Sequence, residues 1–161
     1  MSGRACPGVG LGFDVHRFGG RGPLVLGGVE VPHREGLLGH SDADVLCHAV
    51  ADAILGAAAL GDLGEHFPSS DQRWRGVSSL HLLELVLELM APWRLQVRGV
   101  DSTLIAEAPR LQPYRQQMAK TMGEALGLAA GACSVKIKST DGLGSTGRGE
   151  GIAALAIATV G

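Results

Sequence analysis

The order in which helix-like and strand-like stretches alternate constrains the fold of this chain most. Apolar residues at helical spacing predict three helices, over 41–60, 78–91 and 113–127. Strand-like stretches surround them, at 9–18, 23–32, 95–108, 133–141 and 151–160. The second of these contains a Gly27-Gly28 turn and predicts a short hairpin. This order predicts an α/β (α+β-like) fold, in which a mixed β-sheet carries helices packed on one face.

Length, charge and cysteine content narrow the class of protein further. The 161 residues suggest a single domain over 1–161. A net charge of −2 and the lack of a basic run argue against a nucleic-acid partner. Cys6, Cys47 and Cys133 are odd in number and lack CxxC spacing, which is typical of free thiols in a reducing compartment. No apolar run reaches membrane-spanning length and no signal-like segment leads the chain, so we expect a cytoplasmic protein without a membrane partner.

Asp14 and His16 lie two residues apart in the first predicted strand, and their side chains therefore point to the same face. Together with His48, in the first predicted helix, they match the three protein ligands of a catalytic zinc site. The alternative is a strand with a polar face and a hydrogen-bonded core histidine. Asp44 and Asp52, four residues to either side of His48, favour the metal site, because a ligating histidine usually donates its other N–H to a carboxylate.

His40 and Ser41 stand directly before the first predicted helix. Backbone N–H groups at a helix start attract anions, so this pair could contact a phosphate. The alternative is that His40 is an ordinary loop residue and that Ser41 only caps the helix. In that case Asp44, three residues later, completes a pattern like a capping box.

A glycine-rich segment with the sequence STDGLGSTGRGEG covers 139–151. It contains GxGxxG spacing, but it lacks the following helix and the downstream acid that a dinucleotide-binding motif needs. Its backbone N–H groups, its hydroxyls and Arg148 suit a diphosphate, and a plain surface turn is the alternative. No arrangement of Ser, His and Asp or of Cys and His indicates a protein nucleophile.

The chain resembles, over about residues 9–160, the 2-C-methyl-D-erythritol 2,4-cyclodiphosphate synthase family of the non-mevalonate isoprenoid pathway. The resemblance rests on the segments GFDVHRFGG, GGVEVP, GLLGHSDADVLCHAVADAILGAAALGDLGEHFP, DSTLIAEAPRL and GSTGRGEGIA. It implies that the substrate is 4-diphosphocytidyl-2-C-methyl-D-erythritol 2-phosphate, whose 2-phosphate attacks its own β-phosphate and releases CMP. It also implies a homotrimer with active sites between subunits.

The resemblance implies metal-binding and catalytic roles for particular residues. Asp14, His16 and His48 match the ligands of one Zn²⁺ per subunit, and the family uses a second divalent cation, Mg²⁺ or Mn²⁺, to bridge the substrate phosphates. Asp44 and Asp52 are expected to support the ligands from outside. The catalytic residues by resemblance are His40 and Ser139.

Further positions match substrate-binding segments of the family. Asp62 and Gly64 correspond to the contacts of the methylerythritol hydroxyls, 106–111 to the cytosine pocket, and 138–141 to the nucleotide-phosphate segment of a neighbouring subunit. The expected substrate-binding set is Ser41, Asp62, Gly64, Phe67, Asp71, Ala106, Pro109, Arg110, Leu111, Lys138, Thr140, Asp141 and Arg148. A cavity on the threefold axis, which could hold an isoprenoid diphosphate, is expected beside Ser145, Arg148 and Glu150.

The last segment departs from the family pattern, which commonly reads TTTEKLGFTGRGEG where this chain reads KSTDGLGSTGRGEG. Ser139 replaces Thr but keeps a hydroxyl, and Asp141 is one methylene shorter than Glu. Gly142 removes a lysine charge, and Ser145 removes an apolar ring from the axial cavity. In the cytosine pocket Arg110 stands where Lys is common.

Two other functions remain open at the level of sequence. One is a zinc-dependent nucleotide diphosphate hydrolase, in which water attacks instead of an internal phosphate. The other is a non-catalytic trimeric module that binds isoprenoid diphosphate. The absence of a clear general base argues against the first, and the intact set of His40, Ser41 and the three metal-ligand candidates argues against the second.

Overall fold

A computed structural model describes Cys6 and residues 8–161. Its strands are β1 (Val9–Gly20), β2 (Leu24–Leu26), β3 (Val29–Val31), β4 (Gly36–Leu37), β5 (Val97–Ile105), β6 (Cys133–Lys138) and β7 (Gly151–Val160). Its α-helices are α1 (Val45–Ala57), α2 (Leu63–His66), α3 (Ser79–Met90), α4 (Arg115–Ala125) and α5 (Gly144–Gly147). Short 3₁₀ turns lie at Gln72–Trp74, Ala91–Trp93 and Gln112–Tyr114.

Five of the strands form one mixed sheet in the order β4-β1-β7-β5-β6. β7 pairs antiparallel with both β1 and β5, whereas β5 and β6 run parallel, as expected for strands joined through a helix. β2 and β3 form the separate hairpin about Gly27 and Gly28 that the sequence predicts. The prediction of a mixed α/β fold is therefore confirmed.

The first helix lies directly on the first strand because glycines remove the side chains between them. A Cβ added to Gly12 would lie 1.9 Å from the carbonyl oxygen of Ala49, and one added to Gly10 would lie 2.1 Å from that of Ala53. Both contacts are far shorter than van der Waals distance, so these positions exclude any larger residue. This close approach of α1 to β1 brings His48 within reach of Asp14 and His16.

The opposite face of the sheet is apolar and exposed. Val9, Leu11, Phe13 and Val15 of β1 alternate with the glycines and are 50–68% exposed. Leu155 and Ile157 of β7 extend this patch across the sheet, with exposures of 37% and 46%. A contiguous apolar surface of this kind marks an interaction site. None of the helices in the described ranges has the length and apolar character that crossing a bilayer requires.

The first helix begins four residues later than the sequence predicts, and its N-cap is Asp44 rather than Ser41. The Oδ1 atom of Asp44 accepts the N–H groups of Leu46 and Cys47, each at 3.1 Å, and that of Gly27 at 2.9 Å. Its Oδ2 atom accepts the N–H of Gly28 at 2.7 Å. This carboxyl is completely buried, and burial raises its pKa against the opposing effect of these donors. Asp44 therefore joins the β2–β3 turn to the start of α1.

Asp44→Ala is expected to lower the free energy of unfolding by about 3 kcal/mol or more, because it removes a helix cap and leaves buried N–H donors without an acceptor. The measurement is urea denaturation followed by circular dichroism. Asp62→Ala is the matched control, since this exposed N-cap of α2 accepts a single N–H, from Glu65. Equal losses in the two variants would contradict the structural role of Asp44.

Candidate active site

Three predicted metal ligands converge where β1 meets α1. The Oδ2 atom of Asp14 lies 2.9 Å from Nε2 of His16 and 3.0 Å from Nδ1 of His48. The two imidazole nitrogens are 3.3 Å apart. Tetrahedral ligands at zinc distances of 2.0–2.1 Å lie roughly 3.3 Å from one another. One carboxylate oxygen and two imidazole nitrogens in this arrangement could hold a metal ion.

The charge of Asp14 suits a cation. Its partial burial acts to raise the pKa, but the rings of His16 and His48, which donate to the carboxylate when they are protonated, outweigh burial and hold the pKa of the carboxyl well below its usual range. For His16, burial acts to lower the pKa, while the hydrogen bonds to Asp14 and to the Leu38 carbonyl raise it. Asp14 is therefore ionised at neutral pH and offers a negative oxygen to the point where the three groups meet.

Hydrogen bonds on the far side of each imidazole orient the two rings. Nδ1 of His16 donates to the carbonyl oxygen of Leu38 at 2.5 Å, so that in the neutral ring Nε2 is the bare nitrogen and faces Asp14. Nε2 of His48 lies 3.0 Å from the hydroxyl oxygens of both Ser41 and Ser79. The outer contacts of the candidate ligands are thus a carbonyl and two hydroxyls.

The hydrogen bonds of Asp44 and Asp52, which the sequence analysis expected to support His48, go to backbone N–H groups. Asp44 uses its carboxylate as the cap of α1, as described above, and Oδ1 of Asp52 accepts the N–H of Leu63 at 2.7 Å. Within the described residues neither carboxylate hydrogen-bonds to the His48 ring. Spacing of four along a helix places two side chains on one face, but here nearby backbone donors take the carboxylates first.

A cleft of about 380 Å³ opens beside these ligands. Its walls are Asp14, His16, His40, Ser41, His48, Asp52, Leu63, Gly64, Phe67, Ser69, Trp74 and Leu82. The structure therefore brings His40, Ser41, Gly64 and Phe67 together with the metal-ligand candidates. Four lining residues carry no signal in the sequence: Leu63 at the start of α2, Ser69 and Trp74 in segment 67–77, and Leu82 in the first turn of α3.

The segment 67–77 fixes the ring of His40. Nε2 of His40 lies 3.0 Å from the carbonyl oxygen of Asp71, and the N–H of Gly76 donates to the His40 carbonyl at 2.8 Å. The Asp71 carboxylate itself pairs with Arg73 at 2.6 Å and does not line the cleft. Asp62 caps α2 through one oxygen, at 2.9 Å from the Glu65 nitrogen, and also lies outside the cleft wall.

A second group of predicted residues lies apart from this cleft, where the parallel strands β5 and β6 end. The Oε1 atom of Glu107 accepts the N–H groups of Thr140 at 3.0 Å and of Gly142 at 3.3 Å, and so ties loop 106–111 to segment 138–143. None of the predicted residues in these two segments lines the metal-site cleft of the described chain. No local sequence pattern indicates this role for Glu107.

The residues at the predicted axial cavity adjoin a smaller cleft. Ser145 and Glu150 line about 140 Å³ together with Val15, Arg17 and others near the end of β1. Arg148 donates from Nε to Oε1 of Glu150 at 2.6 Å. That hydrogen bond raises the pKa of Arg148 and lowers that of Glu150, so both are charged at neutral pH.

Comparison with known proteins adds independent information. Residues 8–161 match the family model described as the YgbB family. The 2-C-methyl-D-erythritol 2,4-cyclodiphosphate synthase of Alkaliphilus metalliredigens (strain QYMF) is 50% identical over 153 residues, which cover 95% of this chain and 96% of that protein. The synthase of the same name from Syntrophobacter fumaroxidans (strain DSM 10017 / MPOB) is 52% identical over 149 residues, or 92% of this chain and 94% of that protein.

Solved structures agree with the sequence comparison. A 2C-methyl-D-erythritol-2,4-cyclodiphosphate synthase in a CDP-bound form superposes with a TM-score of 0.85 at 31% identity, covering 95% of this chain and 99% of the other. Similarity over nearly the full length of both chains means that the two share one fold.

Proposed function

Because this chain belongs to the YgbB family, we infer that it is a 2-C-methyl-D-erythritol 2,4-cyclodiphosphate synthase, a phosphorus–oxygen lyase of the non-mevalonate isoprenoid pathway. It converts 4-diphosphocytidyl-2-C-methyl-D-erythritol 2-phosphate into the 2,4-cyclodiphosphate and CMP, and residues 1–161 form one synthase domain. The family resemblance of the sequence is thereby confirmed. The observation that carries the assignment is the convergence of Asp14, His16 and His48 at a cleft that His40 and Ser41 also line.

The reaction accounts for the lack of a protein nucleophile in the sequence. The 2-phosphate of the substrate attacks the β-phosphorus of the same molecule, and CMP leaves in line. Catalysis then consists of folding the substrate, aligning its two phosphates and neutralising their charge. The chain provides a charged, partly enclosed cleft for that purpose and needs no covalent intermediate.

Asp14, His16 and His48 hold one Zn²⁺ in this proposal, since one carboxylate oxygen and two imidazole nitrogens suit zinc. The bound ion supplies a Lewis acid and a template for a phosphate oxygen. A second divalent cation, Mg²⁺ or Mn²⁺, is assigned to the substrate phosphates and water, because it prefers oxygen ligands.

The other cleft residues orient the substrate. The Asp71 carbonyl fixes the ring of His40, which stabilises the negative charge that develops on the phosphates. The Ser41 hydroxyl donates to a phosphate oxygen. Gly64, in the cleft wall, and the free oxygen of Asp62, outside that wall, are assigned to the methylerythritol hydroxyls. Phe67, edge-on to Trp74 with ring centroids 5.0 Å apart, forms the apolar wall.

The nucleotide half of the site is proposed to come from a neighbouring subunit of a homotrimer. Ala106, Pro109, Arg110 and Leu111 are assigned to cytosine, and Lys138, Ser139, Thr140, Asp141 and Arg148 to phosphates. Neither segment contributes to the described lining of the metal-site cleft, which supports a shared site. The exposed apolar face of β1 and β7 supports assembly, because burying it against two further copies removes it from water.

In such a trimer Ser145, Arg148 and Glu150 would face an axial cavity open to an isoprenoid diphosphate. The three free cysteines fit a cytoplasmic enzyme.

A product analysis tests this function. The purified protein is incubated with 4-diphosphocytidyl-2-C-methyl-D-erythritol 2-phosphate, zinc and magnesium, and the products are followed by phosphorus NMR and mass spectrometry. We expect CMP and a cyclic diphosphate. CMP with a product heavier by one water would mean a hydrolase instead, and unchanged substrate on a zinc-loaded trimer would mean a binding module.

A further inference from the structure

We propose that Ser79 and Asp42 are positioning residues of the active site. Through hydrogen bonds they hold His48 in the tautomer that turns a bare Nδ1 toward Asp14 and His16, and they leave the Ser41 hydroxyl free to donate into the cleft. This inference rests on the proposed zinc site. It concerns residues that the sequence analysis assigned no role in the chemistry.

The hydroxyl proton of Ser79 is committed to Asp42. The Ser79 side chain lies at the first residue of α3 and is fully buried. Its Oγ donates to Oδ1 of Asp42, and its backbone N–H donates to Oδ2 of the same carboxylate at 2.9 Å. Asp42 is held in turn by its own N–H, which donates to the Val77 carbonyl at 3.0 Å. An ionised carboxylate can only accept, so the direction of these bonds is fixed.

This direction favours hydrogen on Nε2 of His48, and it opposes the Asp14 carboxylate, which lies 3.0 Å from Nδ1 and favours hydrogen there until a cation takes its place. With its proton donated to Asp42, the Ser79 oxygen can only accept from the Nε2 atom that lies 3.0 Å away. In a neutral imidazole the other nitrogen, Nδ1, is then bare. Nδ1 is the atom that lies 3.0 Å from Oδ2 of Asp14, and a metal ligand must present a bare nitrogen there.

The same direction leaves Ser41 as a donor. Its Oγ accepts the N–H of Ala43 at 3.1 Å and lies 3.0 Å from Nε2 of His48, whose single hydrogen it shares with the Ser79 oxygen in a three-centre bond. Both lone pairs are then used, and the Ser41 proton points to an acceptor outside this cluster. Because Ser41 lines the cleft, that acceptor can be a phosphate oxygen. If Ser41 donated to His48 instead, hydrogen would move to Nδ1 and block the ligand position.

Zinc affinity of the apo protein tests the inference without relying on turnover. The dissociation constant is measured by competition with a chelator for the wild type, Ser79→Ala, Ser79→Thr and the control Ser78→Ala. Ser78 is the exposed neighbour, whose side chain makes no capping hydrogen bond. We expect zinc binding 10–100-fold weaker in Ser79→Ala, at least partial recovery in Ser79→Thr and no change in Ser78→Ala. Equal affinities in Ser79→Ala and Ser78→Ala would overturn the proposal.

The tautomer of His48 provides a second readout. Asp42→Asn keeps the size of the side chain. Its amide oxygen must accept the Ser79 N–H, so its amide NH2 group faces the Ser79 hydroxyl and donates to it. The hydroxyl proton of Ser79 is then free to donate to His48 instead. Long-range proton–nitrogen NMR of the apo protein, at a pH where the ring is neutral, should show hydrogen on Nε2 of His48 in the wild type and on Nδ1 in Asp42→Asn. Hydrogen on Nδ1 in the wild type would refute the proposal.

These measurements separate this inference from the proposed function. A wild type that failed to bind zinc would overturn both the zinc site and the roles of Ser79 and Asp42. If the wild type bound zinc and Ser79→Ala bound it 10–100-fold more weakly, the inference would hold even where no cyclic product formed. In that case the proposed reaction alone would be wrong.

Discussion

Replacing His48 by alanine is expected to abolish both zinc binding and turnover while the chain still folds. The substitution removes one of three converging ligands and leaves only Asp14 and His16, which form an incomplete site. Loss of an outer hydrogen-bond partner alone costs about 10–100-fold in metal affinity or activity, so loss of a ligand should exceed about 100-fold. Helix α1 should persist, because alanine has the highest helix propensity.

Three measurements check this expectation: metal content after dialysis, product formation by phosphorus NMR, and mass in solution by light scattering. His81→Ala is the control, since this exposed histidine of α3 pairs with Glu84 at 2.9 Å and does not line the cleft. The control should keep wild-type zinc content and turnover. A His48→Ala protein with one zinc per subunit and most of its activity would show that the metal assignment is wrong.

The secondary structure and the face on which a residue lies could be predicted from the sequence, because both depend on the spacing of residues along the chain. The two-residue spacing of Asp14 and His16 fixes them on one face of β1, and the structure confirms that face. Which face is buried could not be predicted from alternation alone. An apolar–glycine alternation suggests that Leu11 and Phe13 face the core, yet they are exposed and Gly12 faces α1. The backbone of α1 packs against the glycines of β1, so the buried face of this strand is set by the helix that covers it.

For the candidate site, the sequence could predict the residues whose own chemistry suits a ligand or a catalytic group. It could not predict the contacts that hold those residues in place. The sequence pattern predicts Ser41 as the helix cap and Asp44 as its capping-box partner. The structure makes Asp44 the cap, because the N–H groups of Gly27 and Gly28 in the β2–β3 turn also converge on its carboxylate. Ser79 lies 31 residues from His48 along the chain, and no local pattern connects them. Contacts of this range are set by packing of α3 against the start of α1, so only the folded chain brings them together.

The split between the two groups of site residues leads to the second large effect: two variants that are inactive alone should regain activity in one trimer. His48→Ala damages the metal half of the proposed site, and Lys138→Glu reverses a charge in the nucleotide half. Lys138 ends β6 beside loop 106–111, away from the cleft that His48 lines. If each site combines the metal half of one subunit with the nucleotide half of its neighbour, a trimer containing both variants has one site with neither lesion.

Co-expression with two different affinity tags, followed by purification over both resins, isolates such mixed trimers. Their expected activity is about one third of the wild-type value, because one of three sites is intact whichever variant is in excess. The control pairs His48→Ala with Asp14→Ala, whose lesions fall in the same half, so every site in the mixed trimer keeps a damaged metal half and stays inactive. If each site lay within one subunit, neither mixture could recover, because every chain would carry a lesion in its own site. Recovery in the first mixture alone is therefore the result that only a site shared between neighbours can produce.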